Sequence, residues 1–168
     1  MRTHPLVASL GAALTLYATV AAATPIVYIP LGTANQVVAI DAATDRITAS
    51  YANVVDAHGL VATPDGEYLV AGSVKETPAK EGAAGGPVSQ LHLVHPKHGH
   101  VMQTIAVTGW THHQAITPDG RYVISTHPTR GGISVVDLQS NKVVQTIATG
   151  ASPNHTVATR DGSRAFVS

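Results

Sequence analysis

Ten of the 168 residues are histidine, as many as all the Lys and Arg together. Imidazole is therefore the side chain here with the most chemistry to offer. A neutral imidazole is the commonest metal ligand, and three or four converging imidazoles suit copper, zinc or iron. The same ring serves as an axial ligand to haem or as a proton donor to a bound anion. The segments Ala57-His58-Gly59, Thr111-His112-His113-Gln114 and Asn154-His155-Thr156 carry the candidates. His58, His112, His113 and His155 are the expected metal ligands, and His112, His113 and His155 the expected cofactor-binding residues. The chain has no cysteine, which excludes a disulfide scaffold, a thiolate zinc site, an iron–sulfur cluster and a CxxCH haem attachment. No covalent c-type haem belongs to this chain.

What must position these rings is a repeat. Asp41–Thr63, His95–Thr117 and Asp137–Thr159 align without a gap, and each ends in a tight turn: Thr63-Pro64-Asp65-Gly66, Thr117-Pro118-Asp119-Gly120 and Thr159-Arg160-Asp161-Gly162. Val101-Met102-Gln103-Thr104-Ile105-Ala106 recurs 42 residues later as Val143-Val144-Gln145-Thr146-Ile147-Ala148. The preceding period is 54 residues, so it carries a 12-residue insertion, placed within Val74–Pro87. Inside a period the β-branched runs are broken by turn residues, and no helical spacing occurs outside the N-terminal 23 residues. About four short strands per 42 residues is the pattern of a propeller blade.

The run Ile133-Ser134-Val135-Val136-Asp137, then Lys142–Ile147, then Ala151–Gly162 resembles the YVTN β-propeller repeat. That superfamily includes the haem d1 domain of cytochrome-type nitrite reductases and related exported proteins. The resemblance spans Pro25–Ser168. It implies an all-β fold of four-stranded blades, seen here as an incomplete N-terminal part of about three and a half blades. Three strands of a first blade are expected at Ile26–Pro30, Gln36–Asp41 and Arg46–Tyr51. Full blades follow over His58–Ala106 and His112–Ala148, then two strands at His155–Thr159 and Arg164–Ser168. Propellers close with 4–8 blades, so the chain as it stands reads as part of a ring.

Blade topology sorts the histidines. His58, His112, His113 and His155 fall at the start of innermost strands, at the mouth of the central channel. His127, Trp110 and the insertion residues Lys75 and Glu76 are expected on the same face, as a surface for a ligand or partner. The competing reading is that these imidazoles only line the channel, and that Trp110 fills a gap. His95, His98 and His100 occupy a third-to-fourth strand turn on the far face, where Asp137, Ser140 and Lys142 mark an ordinary hairpin in the next repeat. His92 is expected to be half-buried in a strand, and Asp65, Asp119 and Asp161 to be turn-makers.

Met1–Ala23, with Arg2 ahead of an apolar run and Ala21-Ala22-Ala23 at its end, reads as a signal peptide cleaved after Ala23. The expected location is periplasmic or secreted, with no membrane insertion after cleavage. Ten basic and ten acidic residues cancel, which argues against a nucleic-acid binder acting by bulk charge. No phosphate-binding loop, nucleophile elbow or zincin helix is present. Two functions remain. The first is an exported propeller that binds a ligand or protein partner on its channel face. The second, implied by the resemblance, is a redox, metal- or haem-associated protein with channel-face histidines as ligands or proton donors and a cytochrome as redox partner. A lactonase-type hydrolase shares the architecture, but nothing singles it out.

Overall fold

A strand sends successive side chains to opposite faces, and here the central strands are buried on both faces while the outer ones stay largely exposed. The computed structural model describes residues 24–78 and 86–168. The leader, and part of the insertion, lie outside the described residues. Among the described residues thirteen strands form four antiparallel sheets. The first sheet contains β1 (Ile26–Leu31), β2 (Gln36–Asp41) and β3 (Arg46–Ala52). The second contains β4 (Ala57–Ala62), β5 (Leu69–Ser73), β6 (Val88–His95) and β7 (His100–Thr108). The third contains β8 (Gln114–Ile116), β9 (Tyr122–His127), β10 (Gly132–Asp137) and β11 (Lys142–Ala148). The last pairs β12 (Thr156–Ala158) with β13 (Ala165–Val167). Each sheet is ordered as the chain runs, and β4, β8 and β12 lie side by side along the inner edges. Among the described residues no helix is long and apolar enough to cross a membrane.

The core lies between sheets. On β5, Leu69 and Ala71 face the first sheet, where Val37, Ala39, Tyr51 and Val54 close around them. The intervening Val70 faces the third sheet, joining Leu91, Leu93, Ile105, Val107, Val123 and Val136. Fully burying a Leu or Val contributes roughly 1.5–3 kcal/mol, so these interfaces dominate the stability of the stack.

Two repeated devices set strand geometry. A β-bulge interrupts the pairing of the last two strands of the first three sheets, at Ala39/Ile40, Leu93/Val94 and Val135/Val136. In each case the extra residue (Thr48, Met102 or Val144) is exposed. The Thr-x-Asp-Gly turns are equally regular. The Asp65 carboxylate accepts from the Thr63 hydroxyl and from the Glu67 amide at 2.9 Å, and the Thr63 hydroxyl accepts from the Tyr68 amide. Asp119 and Asp161 repeat this bonding. Gly120 and Gly162, at φ of 73° and 69°, need the left-handed region. A Cβ on either would also press on the proline ring of the preceding turn, 3.1 Å from Pro64 and 3.2 Å from Pro118. Turn therefore nests on turn across neighbouring sheets.

The far-face hairpins share a third device. Asp41 and Asp137 accept backbone amides two residues on, at 2.8 and 2.9 Å. His95 stands at the same register and substitutes its Nδ1, which faces the His98 amide at 3.4 Å. His95 is accordingly buried, edge-on to Tyr68 and stacked on His98 at 4.0 Å. His92 is fully buried on β6, beyond the half-burial expected for it.

Candidate functional site

The inner strands do not begin as regular strands. On β4 the pairing steps from Ala57↔Ser73 to Leu60↔Ala71, so His58 and Gly59 together oppose the single residue Gly72. The same two-against-one arrangement precedes β8. The His112 amide donates to the Thr126 carbonyl, the Thr126 amide donates back to the His113 carbonyl, and regular pairing resumes at Gln114↔Ser125. It recurs before β12, where Asn154 and His155 bracket Ser168 in the same way ahead of Thr156↔Val167. A bulge of this kind breaks the alternation of side chains and re-aims them. Repeated at three adjacent inner strands, it presents the imidazoles to one another.

The resulting cluster is tight. Ring centroids lie 4.6 Å apart for His58–His112, 4.6 Å for His112–His113, 5.7 Å for His58–His113 and 4.0 Å for His113–His155. His112 and His155 are 5.8 Å apart. One ring nitrogen from each of His58, His112 and His113 falls within 4.8 Å of the others, a spacing at which a metal ion is within reach. His58 and His155 are exposed, and His112 and His113 are half-buried.

Close approach of the sheets is made by glycine. A Cβ on Gly59 would meet the His112 carbonyl oxygen and the Gln114 side chain, and one on Gly72 would meet Thr111 Oγ1 and Gln114 Nε2, all under 2.5 Å. Nothing larger than glycine fits beneath the cluster. Thr126 holds the other side. Its hydroxyl accepts from the His113 amide at 3.1 Å and donates to the Asn154 carbonyl at 2.7 Å. Ser168, 42 residues on, faces the His155 amide at 3.3 Å in the same role. The Asn154 carbonyl also lies 3.4 Å from His112 Nδ1. A carbonyl only accepts, so this contact favours the proton on Nδ1 and leaves the Nε2 lone pair free for a ligand's place.

Burial lowers the pKa of both His112 and His113, and the neighbouring imidazoles push in the same direction. Protonating one ring would set a positive charge against its neighbours, so both favour the neutral, ligating form.

Two of the other expected site residues have different work. His127 is a correction: it is buried, with Nε2 accepting from Ser134 Oγ at 2.8 Å and Nδ1 facing the Trp110 carbonyl at 3.4 Å. Sequence position gave the end of its strand but not the direction of its ring. Glu76 is committed to anchoring. One of its oxygens accepts from the Trp110 amide at 2.9 Å and the Thr129 hydroxyl at 2.6 Å, while the other is 3.4 Å from Arg130. The Thr129 hydrogen bond is the main cause of its lowered pKa. Trp110 borders the cluster, its ring edge-on to His112 at 5.8 Å. Lys75 is exposed and 3.9 Å from Asp56.

On the far face, His95 and His98 join Asp65, Gly66, Glu67 and Lys97 around a cleft of about 340 Å³. His95 is held as a turn residue there, and among the described residues only His58, His112 and His113 form a group able to share an ion. Gln114, Thr126 and Asn154 were not singled out by sequence. The signal that could have found Gln114 is its departure from Leu60 at the matching register.

No family model matches the chain, and no curated protein matches it. Among solved structures, hydrazine synthase of Kuenenia stuttgartiensis is similar over 84% of this chain at 21% identity, with a TM-score of 0.72. The chain spans 38% of the length of that structure's chain. At this identity the likeness carries the fold. Together with the fanned four-stranded antiparallel sheets, it makes this chain a β-propeller, present as an open part of the ring.

Proposed function

We propose that the protein is an exported YVTN-type propeller that binds its ligand or partner on the channel face, at His58, His112, His113 and His155. The observation that carries this reading is the convergence of four imidazoles from three consecutive sheets, built by the same bulge at each inner strand. Packing residues alone would not require His58 and His155 to stay exposed on the two flanks of the half-buried pair.

The test is chemical footprinting of histidine on the full-length protein, in whole periplasm and again after purification and chelation. Binding predicts that His58, His112, His113 and His155 are protected in periplasm and react faster once stripped, with His98 and His100 reactive throughout. Equal reactivity of the four in both states would overturn it.

A second reading, a haem-associated or redox protein akin to the haem d1 domain superfamily with a cytochrome partner, is favoured by the neutral imidazoles and by Trp110 at their edge. A visible spectrum of the protein as isolated decides it. A colourless, metal-free folded protein would eliminate that reading.

A further inference from the structure

We infer that His58, His112 and His113 hold one divalent transition-metal ion of the copper–zinc class, with His155 packed outside the donor set. The inference rests on the channel-face reading above and narrows it to one ion and three named ligands.

The geometry selects the three. Their ring nitrogens already lie within 4.8 Å of one another. An ion bonded at about 2.0–2.1 Å to each nitrogen in a tetrahedral arrangement needs them about 3.3 Å apart. Closing the set asks exposed His58 and half-buried His113 to turn about their side-chain bonds. His155 lies 4.0 Å from His113, yet it falls outside the group whose ligand atoms close within 4.8 Å. His113 thus separates His155 from His58.

Imidazole-only donors suit Cu2+ and Zn2+, with Cu2+ bound more tightly of the two. No carboxylate joins the group among the described residues, so the ion keeps its full charge. Its remaining positions would then be taken by water or an anionic group, on the side opened by exposed His58. The support that metal-ligating histidines require from an outer partner is in place at His112, through the Asn154 carbonyl.

The chain's only tryptophan, Trp110, sits edge-on to His112 at 5.8 Å and supplies the readout. The full-length protein, stripped by chelation, is titrated with Cu2+ alone and separately with Zn2+ alone. Expected are one equivalent of Cu2+ bound, quenching of Trp110 fluorescence, and a three-nitrogen pattern in the electron paramagnetic resonance spectrum. Zn2+ should compete for the same equivalent. His58→Ala, His112→Gln and His113→Gln should each weaken binding by about tenfold or more, with the far-ultraviolet circular dichroism unchanged. His155→Ala and His98→Ala should leave affinity within about twofold, since neither ring hydrogen-bonds a ligand as an outer partner would.

Binding that survives His58→Ala, that is lost with His98→Ala, or that falls as far with His155→Ala as with His113→Gln would overturn the three-ligand assignment. Protection of the four histidines in periplasm, without Cu2+ or Zn2+ binding to the stripped protein, would refute the ion and leave the channel-face reading standing.

Discussion

The hydroxyl of Thr126 donates to the carbonyl oxygen of Asn154 at 2.7 Å, joining the third sheet to the strand entry of the fourth. The Thr126 hydroxyl oxygen in turn accepts from the amide of His113. One fully buried side chain therefore fixes both backbone segments that carry His112, His113 and His155.

Thr126→Val keeps the shape and deletes both bonds. It leaves the His113 amide and Asn154 carbonyl without this partner, at a cost of about 1–3 kcal/mol. Urea denaturation should show that loss, and Thr126→Ser, which copies Ser168 one repeat on, should recover most of it. A Thr126→Val protein as stable as wild type would show that the bond carries no weight.

Gly72→Ala sets a methyl within 2.5 Å of Thr111 Oγ1 and Gln114 Nε2. Overpacking of this severity should cost about 3 kcal/mol or more. Gln114→Ala in the same chain should relieve part of it by emptying the space that the methyl needs. Thermal midpoints of the two single variants and the double variant measure the coupling, and strict additivity would refute the contact.

His92 and His127 are buried, and burial holds both pKa values below the ordinary histidine value. Below about pH 6.5 the unfolded chain takes up protons that the folded chain refuses. Stability should then decline as pH falls from about 6.5 toward the depressed folded values, and be flat above it. His92 Nε2 is buried without a hydrogen-bond partner, so His92→Leu should not destabilise the protein at pH 7.5. It should also flatten the decline. Chemical denaturation between pH 5 and 7.5 tests both points.

Asp65, Asp119 and Asp161 are held low first by the threonine hydroxyl of their own turn, Asp161 reaching about 2. Their contribution is complete above about pH 3.9, the unfolded value, and is lost as pH falls through the folded values. The acid midpoint should therefore move upward in Asp119→Asn. No movement in that variant, or in the matching Asp65→Asn, would deny these turns a role in acid stability.

Much of this structure could be read along the chain, because a repeat makes one local pattern testify several times. The strand order and the tight turns followed from β-branched runs and Thr-x-Asp-Gly spacing. The registers His58–His112–Asn154 and Gly59–His113–His155 placed four imidazoles at equivalent inner-strand entries. What escaped depends on contacts between sheets. His127 turns inward because Ser134 and the Trp110 carbonyl wait for it there. Glu76 is spent on partners 34, 53 and 54 residues away, at Trp110, Thr129 and Arg130. His95 substitutes for aspartate in a hairpin through one ring nitrogen, a replacement that residue class conceals.

The nested turns carry a consequence for the opposite rim. Pro64 seated on Gly120, and Pro118 seated on Gly162, set the pitch at the base of neighbouring sheets. Each sheet is stiff along its strands, so a small wedge at the base swings the distant tip like a lever. A methyl added at Gly120 would then alter the spacing between His58 and the His112–His113 pair without touching either. The aim of the imidazoles is set, in part, from the far end of the fan.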